Sequence, residues 1–193
     1  ISNIEQLLNG ELDDQLNDND GDGISNVDET NIYFTDINIA EFDGTIENLI
    51  SINPAEPTAQ FAQWATQENS IYAIDRRGSL EYTVQVDQAG IYRLKVLASQ
   101  NMASSKYNSL NLQLYVDGQF VRRNTIDVSF SSDTASHYLT PHLTAGTHTI
   151  KLVYDNIYLN TALRINAIEL GIPGGPDSDN DGTLDWVETH LQN

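Results

Sequence analysis

Oxygen-bearing side chains recur at fixed spacing near both ends of this chain. Residues Asp18 to Glu29 read DNDGDGISNVDE, and Asp177 to Glu188 read DSDNDGTLDWVE. Both stretches have acids at positions 1, 3 and 5, glycine at 6, Asn or Asp at 9 and Glu at 12. Asp18, Asp20 and Asp22 would repel one another in an empty loop, and a hard divalent cation that takes about 6–8 oxygens relieves that repulsion. The spacing is the order in which a twelve-residue loop presents oxygen to Ca²⁺. The expected ligands are Asp18, Asp20, Asp22, the Ile24 carbonyl, Asn26 directly or through water, and Glu29 with both oxygens. The second loop offers Asp177, Asp179, Asp181, the Thr183 carbonyl, Asp185 and Glu188. Gly23 and Gly182 let each backbone turn back on itself.

A true EF-hand has a helix on each side of its loop, whereas GIPGGP before Asp177 cannot be helical. These EF-hand-like loops resemble instead the thrombospondin type 3 repeat, over about residues 1–35 and 176–190. ISNIEQ at residues 1–6 aligns with ISNVDE at 24–29, with Gln6 standing where Glu29 stands, so the sequence is expected to continue an earlier repeat and to belong to a longer chain with adjacent domains. Open loops of this kind bind calcium at roughly 10⁻⁴–10⁻³ M, which extracellular fluid supplies, so a secreted or cell-surface location is expected.

Composition narrows the partners. The net charge is −19, from 28 acids against 9 bases, and ten of the acids lie in the two loops. Two bound calcium ions would still leave the chain acidic, which disfavours nucleic acid, anionic membrane and strongly sulfated glycans. The adjacent basic pairs, Arg76–Arg77 and Arg122–Arg123, are expected to be solvated strand ends. No apolar run approaches membrane-spanning length, so no membrane insertion is expected. Cysteine is absent, which removes disulfides, Cys-ligated zinc and thiol nucleophiles. The four histidines show no metal-ligand spacing, and His148 is expected to be structural, in a strand.

The elements that must carry any further site alternate with a period of two. Leu80, Tyr82, Val84 and Val86 form one such run; Tyr92, Leu94 and Val96 a second; Leu110, Leu112, Leu114 and Val116 a third. FVRRNTIDVSF, HTIKLVY and ALRINAIEL follow, separated by turns such as VDGQ and LTAG. Upstream, a strand is expected near Ile37 to Glu41 and another apolar segment at ENLISI. Residues 53–70, with two prolines, Phe61 and Trp64, are expected to be a long loop of the kind that often binds ligands. Short strands, regular turns and no amphipathic helix predict an all-β, two-sheet sandwich.

The order of these pieces resembles the carbohydrate-binding modules of families 6 and 35. The match lies in IAEFDG, LEYTVQVDQAGIYRLKVLAS, LNLQLYVDGQ, LTAGTHTIKL and RINAIEL, over about residues 37–170. The resemblance implies a jelly-roll, galactose-binding-like β-sandwich that accompanies polysaccharide-degrading enzymes without being catalytic. The chain departs from the family pattern at Ile39, Ala40 and Asn166, leaving Glu41 alone of the acids that would hold a structural calcium there. It also has only Tyr138 in the segment where many members carry a stacking tryptophan.

Sugars are held by aromatic faces against the CH face of the ring, with amide or arginine forks meeting the hydroxyls. The candidates are Trp64, Tyr72 with Arg76, Tyr107 with Asn108, and Tyr158 with Asn156 and Asn160; among them Trp64, in the longest loop, is the expected stacking residue. Trp186, inside the second calcium loop, is expected to pack. The expected organisation is calcium-binding repeats at 1–35, a sandwich at 36–171 and a second repeat at 172–193. The function that follows is a non-catalytic module binding a polysaccharide or oligosaccharide, with calcium as cofactor. The alternative is a structural or adhesive calcium-binding segment of a large surface protein. No nucleophile elbow or zinc motif is present, and the clearest carboxylate clusters belong to the calcium loops, so no catalytic role is expected.

Overall fold

Alternation from Ser79 onward produces strands that send every second side chain into one core. Leu80, Tyr82, Val84 and Val86 are buried while Glu81, Thr83 and Gln85 lie between them on the outer face. The computed structural model describes residues 19–20, 26–30, 37–38, 46–101, 109–128, 130, 132–155, 163–176, 178 and 184–185. The chain divides into two units, Asn48–Ile172, and Ile1–Glu47 together with Pro173–Asn193.

The strands are β1 (Ile46–Ile52), β2 (Ala59–Phe61), β3 (Trp64–Gln67), β4 (Ser70–Ala73), β5 (Arg77–Val86) and β6 (Arg93–Gln100). They continue as β7 (Ser109–Val116), β8 (Gln119–Asp127), β9 (Thr134–Leu139), β10 (Gly146–Asp155) and β11 (Leu163–Pro173). One sheet runs β3-β4-β11-β6-β9, with β1 also on β11; the other runs β2-β5-β10-β7-β8. From β4 to β11 the chain changes sheet at every step except β7 to β8, as the expected two-sheet sandwich requires. Because Asp117 and Gly118 both have positive φ, 49° and 80°, the β7–β8 connection is the two-residue turn that Asp-Gly favours.

Three buried tyrosines tie the core to its margins. Tyr138 on β9 donates to the Leu112 carbonyl on β7 at 3.0 Å, so it crosses between the sheets. Its ring is 2% exposed, so it is a core residue and cannot stand in for a surface stacking tryptophan. Tyr82 donates to Pro54 O at 3.0 Å and Tyr92 to Gln88 O at 2.7 Å. Burial pushes the Tyr82 and Tyr138 phenols up, so both remain hydrogen-bond donors at any ordinary pH.

Two expectations about the first half are corrected. Ile37 and Asn38 form a turn where a strand was expected. Residues 53–70 are not one long loop, because β2 pairs with β5 through Ala59↔Glu81 and Phe61↔Ser79, and β3 pairs with β4 in a tight hairpin. Strands of three or four residues are too short to display a period. β2 takes its partner from β5, and β4 takes its second partner from β11, far along the chain.

The placement of Trp64 changes with them, from a loop to a strand. It opens β3, is half-buried and packs against the core, with its ring edge-on to Tyr154 at 6.2 Å and 61°. Its indole N–H donates to Phe61 O at 2.9 Å. The indole lies so close over β5 that a Cβ on Gly78 would come within 2.8 Å of Phe61 O and 2.9 Å of Trp64 Nε1. Gly78→Ala is therefore expected to displace the indole and cost about 1–3 kcal/mol, the range for overpacking a filled site. Chemical denaturation reads this directly, and an unchanged midpoint would contradict the packing described.

Candidate functional site

Two groups of residues have chemistry to offer, one in each unit. In the terminal unit, the loop residues that are described share one local geometry. Asn19 N–H donates to Asn26 Oδ1 at 3.0 Å, joining loop position 2 to position 9. In the second loop Ser178, also at position 2, donates from N–H to Asp185 Oδ1 at 2.7 Å and from Oγ to Asp185 Oδ2 at 2.6 Å. The two Ser178 bonds hold the Asp185 carboxyl below its ordinary range, favouring the charged form. A short helix, α1 (Asn26–Asp28), begins at position 9 of the first loop, and Thr30 Oγ donates to its Asn26 carbonyl at 2.8 Å.

These residues fit a calcium ion. Glu29 at position 12 is fully buried, and its Oε2 and Asp20 Oδ2 are both shut off from solvent. A buried carboxylate at that position suits a bidentate ligand for a hard cation. Among the described residues no group of three His, Cys, Asp or Glu side chains forms a metal site; of the first loop's acids only the Asp20 and Glu29 side chains are described. Asp18, Asp22, Ile24, Asp177, Asp179, Asp181, Thr183 and Glu188 lie outside the described residues, as do Glu41 and Trp186.

In the sandwich unit the informative surface is the outer face of the first sheet. Strand pairing sets Ala65, Tyr72, Arg164 and Ser99 in one row across β3, β4, β11 and β6. Opposite residues in such a row have Cβ atoms about 4.5–5.5 Å apart, so Tyr72 and Arg164 are side-chain neighbours. The Arg164 guanidinium is fixed from three sides: Nε donates to Asn166 Oδ1 at 3.0 Å, Nη1 to Gln67 Oε1 at 3.2 Å and Nη2 to Ser70 Oγ at 2.7 Å. Asn166 in turn donates to Ser99 Oγ at 2.8 Å and Asp133 Oδ1 at 2.7 Å. Asn166 is the extra residue of a bulge, since pairing with β6 shifts between Ile165 and Ala167. Bulges of this kind re-aim side chains beside functional sites.

This row lies where connections gather. Gln100↔Leu163, Arg77↔Asp155 and Ser109↔Asp127 set the ends of β6, β8 and β10 and the starts of β5, β7 and β11 at one edge of the sandwich. Arg76 is exposed in the β4–β5 turn there, and Gln63 N–H pins that turn through Asp75 Oδ2 at 2.9 Å. Arg77 is not merely solvated but pairs with Asp155 at 2.8 Å. Phe61, Ile74 and Phe130, which are 71%, 58% and 57% exposed, supply apolar surface at this end. Tyr107, Asn108, Asn156, Tyr158 and Asn160 fall in the β6–β7 and β10–β11 connections, outside the described residues. Of the expected sugar contacts, the structure thus puts Tyr72 and Arg76 at one end of the sandwich. Sequence reasoning missed Gln67, Ser70, Arg164 and Phe130; the signal available was the R-I-N alternation in RINAIEL.

No protein-family model and no curated protein sequence matches the chain. Among solved structures it is similar to a GH26-CBM35 β-(1,4)-mannanase from Podospora anserina, at 16% identity and a TM-score of 0.50, over 69% of this chain and 29% of that one. It is also similar to the C-terminal family 6 carbohydrate-binding module of a marine laminarinase from Zobellia galactanivorans, at 12% identity and a TM-score of 0.49, over 65% of this chain and 100% of that one. A family 36 carbohydrate-binding module in complex with calcium and xylotriose has 12% identity and a TM-score of 0.44, over 64% of this chain and 99% of that one. The likeness to the mannanase is one of fold, a β-sandwich, and the chain spans less than a third of that enzyme. No helix among the described residues is long and apolar enough to cross a membrane.

Proposed function

We propose that the sandwich is a non-catalytic carbohydrate-binding module for a polysaccharide or oligosaccharide, and that the terminal loops are calcium-binding repeats that stiffen its ends within a larger extracellular protein. The observation that carries the sugar reading is the Arg164 fork, held by Gln67, Ser70 and Asn166 and set one strand from Tyr72. A pre-ordered fork beside an aromatic ring costs little side-chain entropy on binding and offers N–H groups to hydroxyls and a ring face to the apolar side of a sugar. Arg76 and Phe130 extend the same surface, and Tyr107, Asn108, Asn156, Tyr158 and Asn160 are the further contacts proposed from the sequence.

A glycan-array screen with millimolar calcium and with chelator tests both parts together. Binding to a defined glycan supports the module, and loss of that binding in chelator ties the loops to it. Binding to no glycan in either condition would leave the structural or adhesive segment as the better reading. For a glycan that binds, Tyr72→Ala is expected to weaken affinity by about 1–3 kcal/mol, the scale of burying a large apolar side chain. Arg164→Met keeps the stem and removes the fork, and calorimetric titration should show a loss of the same order. Unchanged affinity in both variants would move the site off this face.

A further inference from the structure

The opposite end of the sandwich carries a histidine that the sugar and calcium readings do not use. His148, on β10, has a side chain only 10% exposed. Its Nδ1 lies 2.7 Å from Asp117 Oδ2, in the β7–β8 turn, and its Nε2 lies 2.8 Å from the Thr144 carbonyl, in the β9–β10 connection. Asp117 Oδ1 also accepts from Thr149 N–H at 2.8 Å, which fixes the carboxylate in place. A carboxylate and a carbonyl can only accept, so both ring nitrogens must donate and the ring must carry two protons.

We infer that His148 is a proton-operated clasp that joins the β7–β8 turn to the β9–β10 connection while charged and releases that connection when it loses its Nε2 proton. The choice of proton follows from the neighbours. Nδ1 faces a negative carboxylate and keeps its hydrogen, whereas a neutral ring would point the Nε2 lone pair at the Thr144 carbonyl and break that link. From β5 the ring faces Val84, with uncharged Thr83 and Gln85 beside it. Among the described residues Asp117 is the one group whose charge bears on it.

The linkage has a definite sign. The Asp117 hydrogen bond, then the Thr144 carbonyl, raise the His148 pKa above 6.5 against the opposing effect of burial. The clasp's contribution to stability is therefore complete below pH 6.5 and fades as pH rises through the raised value. Burial raises the Asp117 pKa, but the bonds from His148 and Thr149 outweigh it and hold the carboxyl below 3.8, so the acid limb of the window opens only beneath the ordinary carboxylate range.

Nitrogen-15 NMR of the His148 ring in the full chain, from about pH 5 to 9, tests this. The expected result is a doubly protonated ring at pH 6, a midpoint above 6.5, a neutral form with its proton on Nδ1, and a lower midpoint in Asp117→Asn. The melting-temperature gap between wild type and His148→Gln should close as pH rises across the midpoint. A midpoint at or below 6.5, or a neutral ring protonated on Nε2, would overturn the clasp in the wild-type titration alone, whatever becomes of the variants.

Discussion

Withdrawing calcium is expected to lower the melting temperature of the unit that contains Ile1–Glu47 and Pro173–Asn193, and restoring it to about 10 mM to raise stability by about 5 kcal/mol. The magnitude follows from mass action. A ligand that binds only the folded state at about a hundred times its Kd contributes about 2.7 kcal/mol per site. With a Kd near 10⁻⁴ M, 10 mM calcium reaches that ratio at each of two loops. Removal also restores the mutual repulsion of the acids at positions 1, 3 and 5. Glu29→Gln, which keeps the size of a fully buried side chain but halves its oxygen donors, is expected to abolish about half of the calcium-dependent gain. Scanning calorimetry in calcium and in chelator measures the effect, and transitions that ignore both would sink the metal reading.

The strands and the core were legible because each rests on information local to its own segment. A period of two from Leu80 to Val86 or from Leu110 to Val116 needs no knowledge of partners, and Asp117-Gly118 announces its turn by the backbone it must adopt. The twelve-residue motifs near the two ends can be read without knowledge of partners because each sets its oxygens within one short segment; of their geometry, the structure describes the contacts that join position 2 to position 9. The surface around Arg164 was not legible, because it is assembled across the chain. Arg164 meets Gln67 and Ser70 from 97 and 94 residues away, and a one-residue bulge decides where Asn166 points. Nothing in RINAIEL alone fixes which strand will stand beside it. The role of Tyr138 was hidden for the same reason: its phenol bonds to Leu112, in the other sheet.

Trp64→Ala is expected to lower the stability of the sandwich unit by about 2–3 kcal/mol, below the 3–5 typical of a fully buried large ring because this one is half-buried. At the size of this unit that is a fall in melting temperature of about 10 °C. Three losses add together. The edge contact with Tyr154 goes, the ring that covers Gly78 goes, and Phe61 O loses its indole donor. Phe61, the last residue of β2 to pair with β5, is also held by that bond, and the connection to Trp64 passes through Ala62 at φ 70°, a left-handed conformation unfavourable for alanine. Without the indole anchor the strained link can relax, so the exposed Phe61 ring should shift with it. Trp64→Phe keeps most of the apolar area but not the donor, and should lose about 1 kcal/mol. Sugar affinity measured well below the lowered melting point separates a supporting ring from a stacking one. A variant that melts with the wild type while losing its glycan would restore Trp64 as a direct contact and refute the packing role.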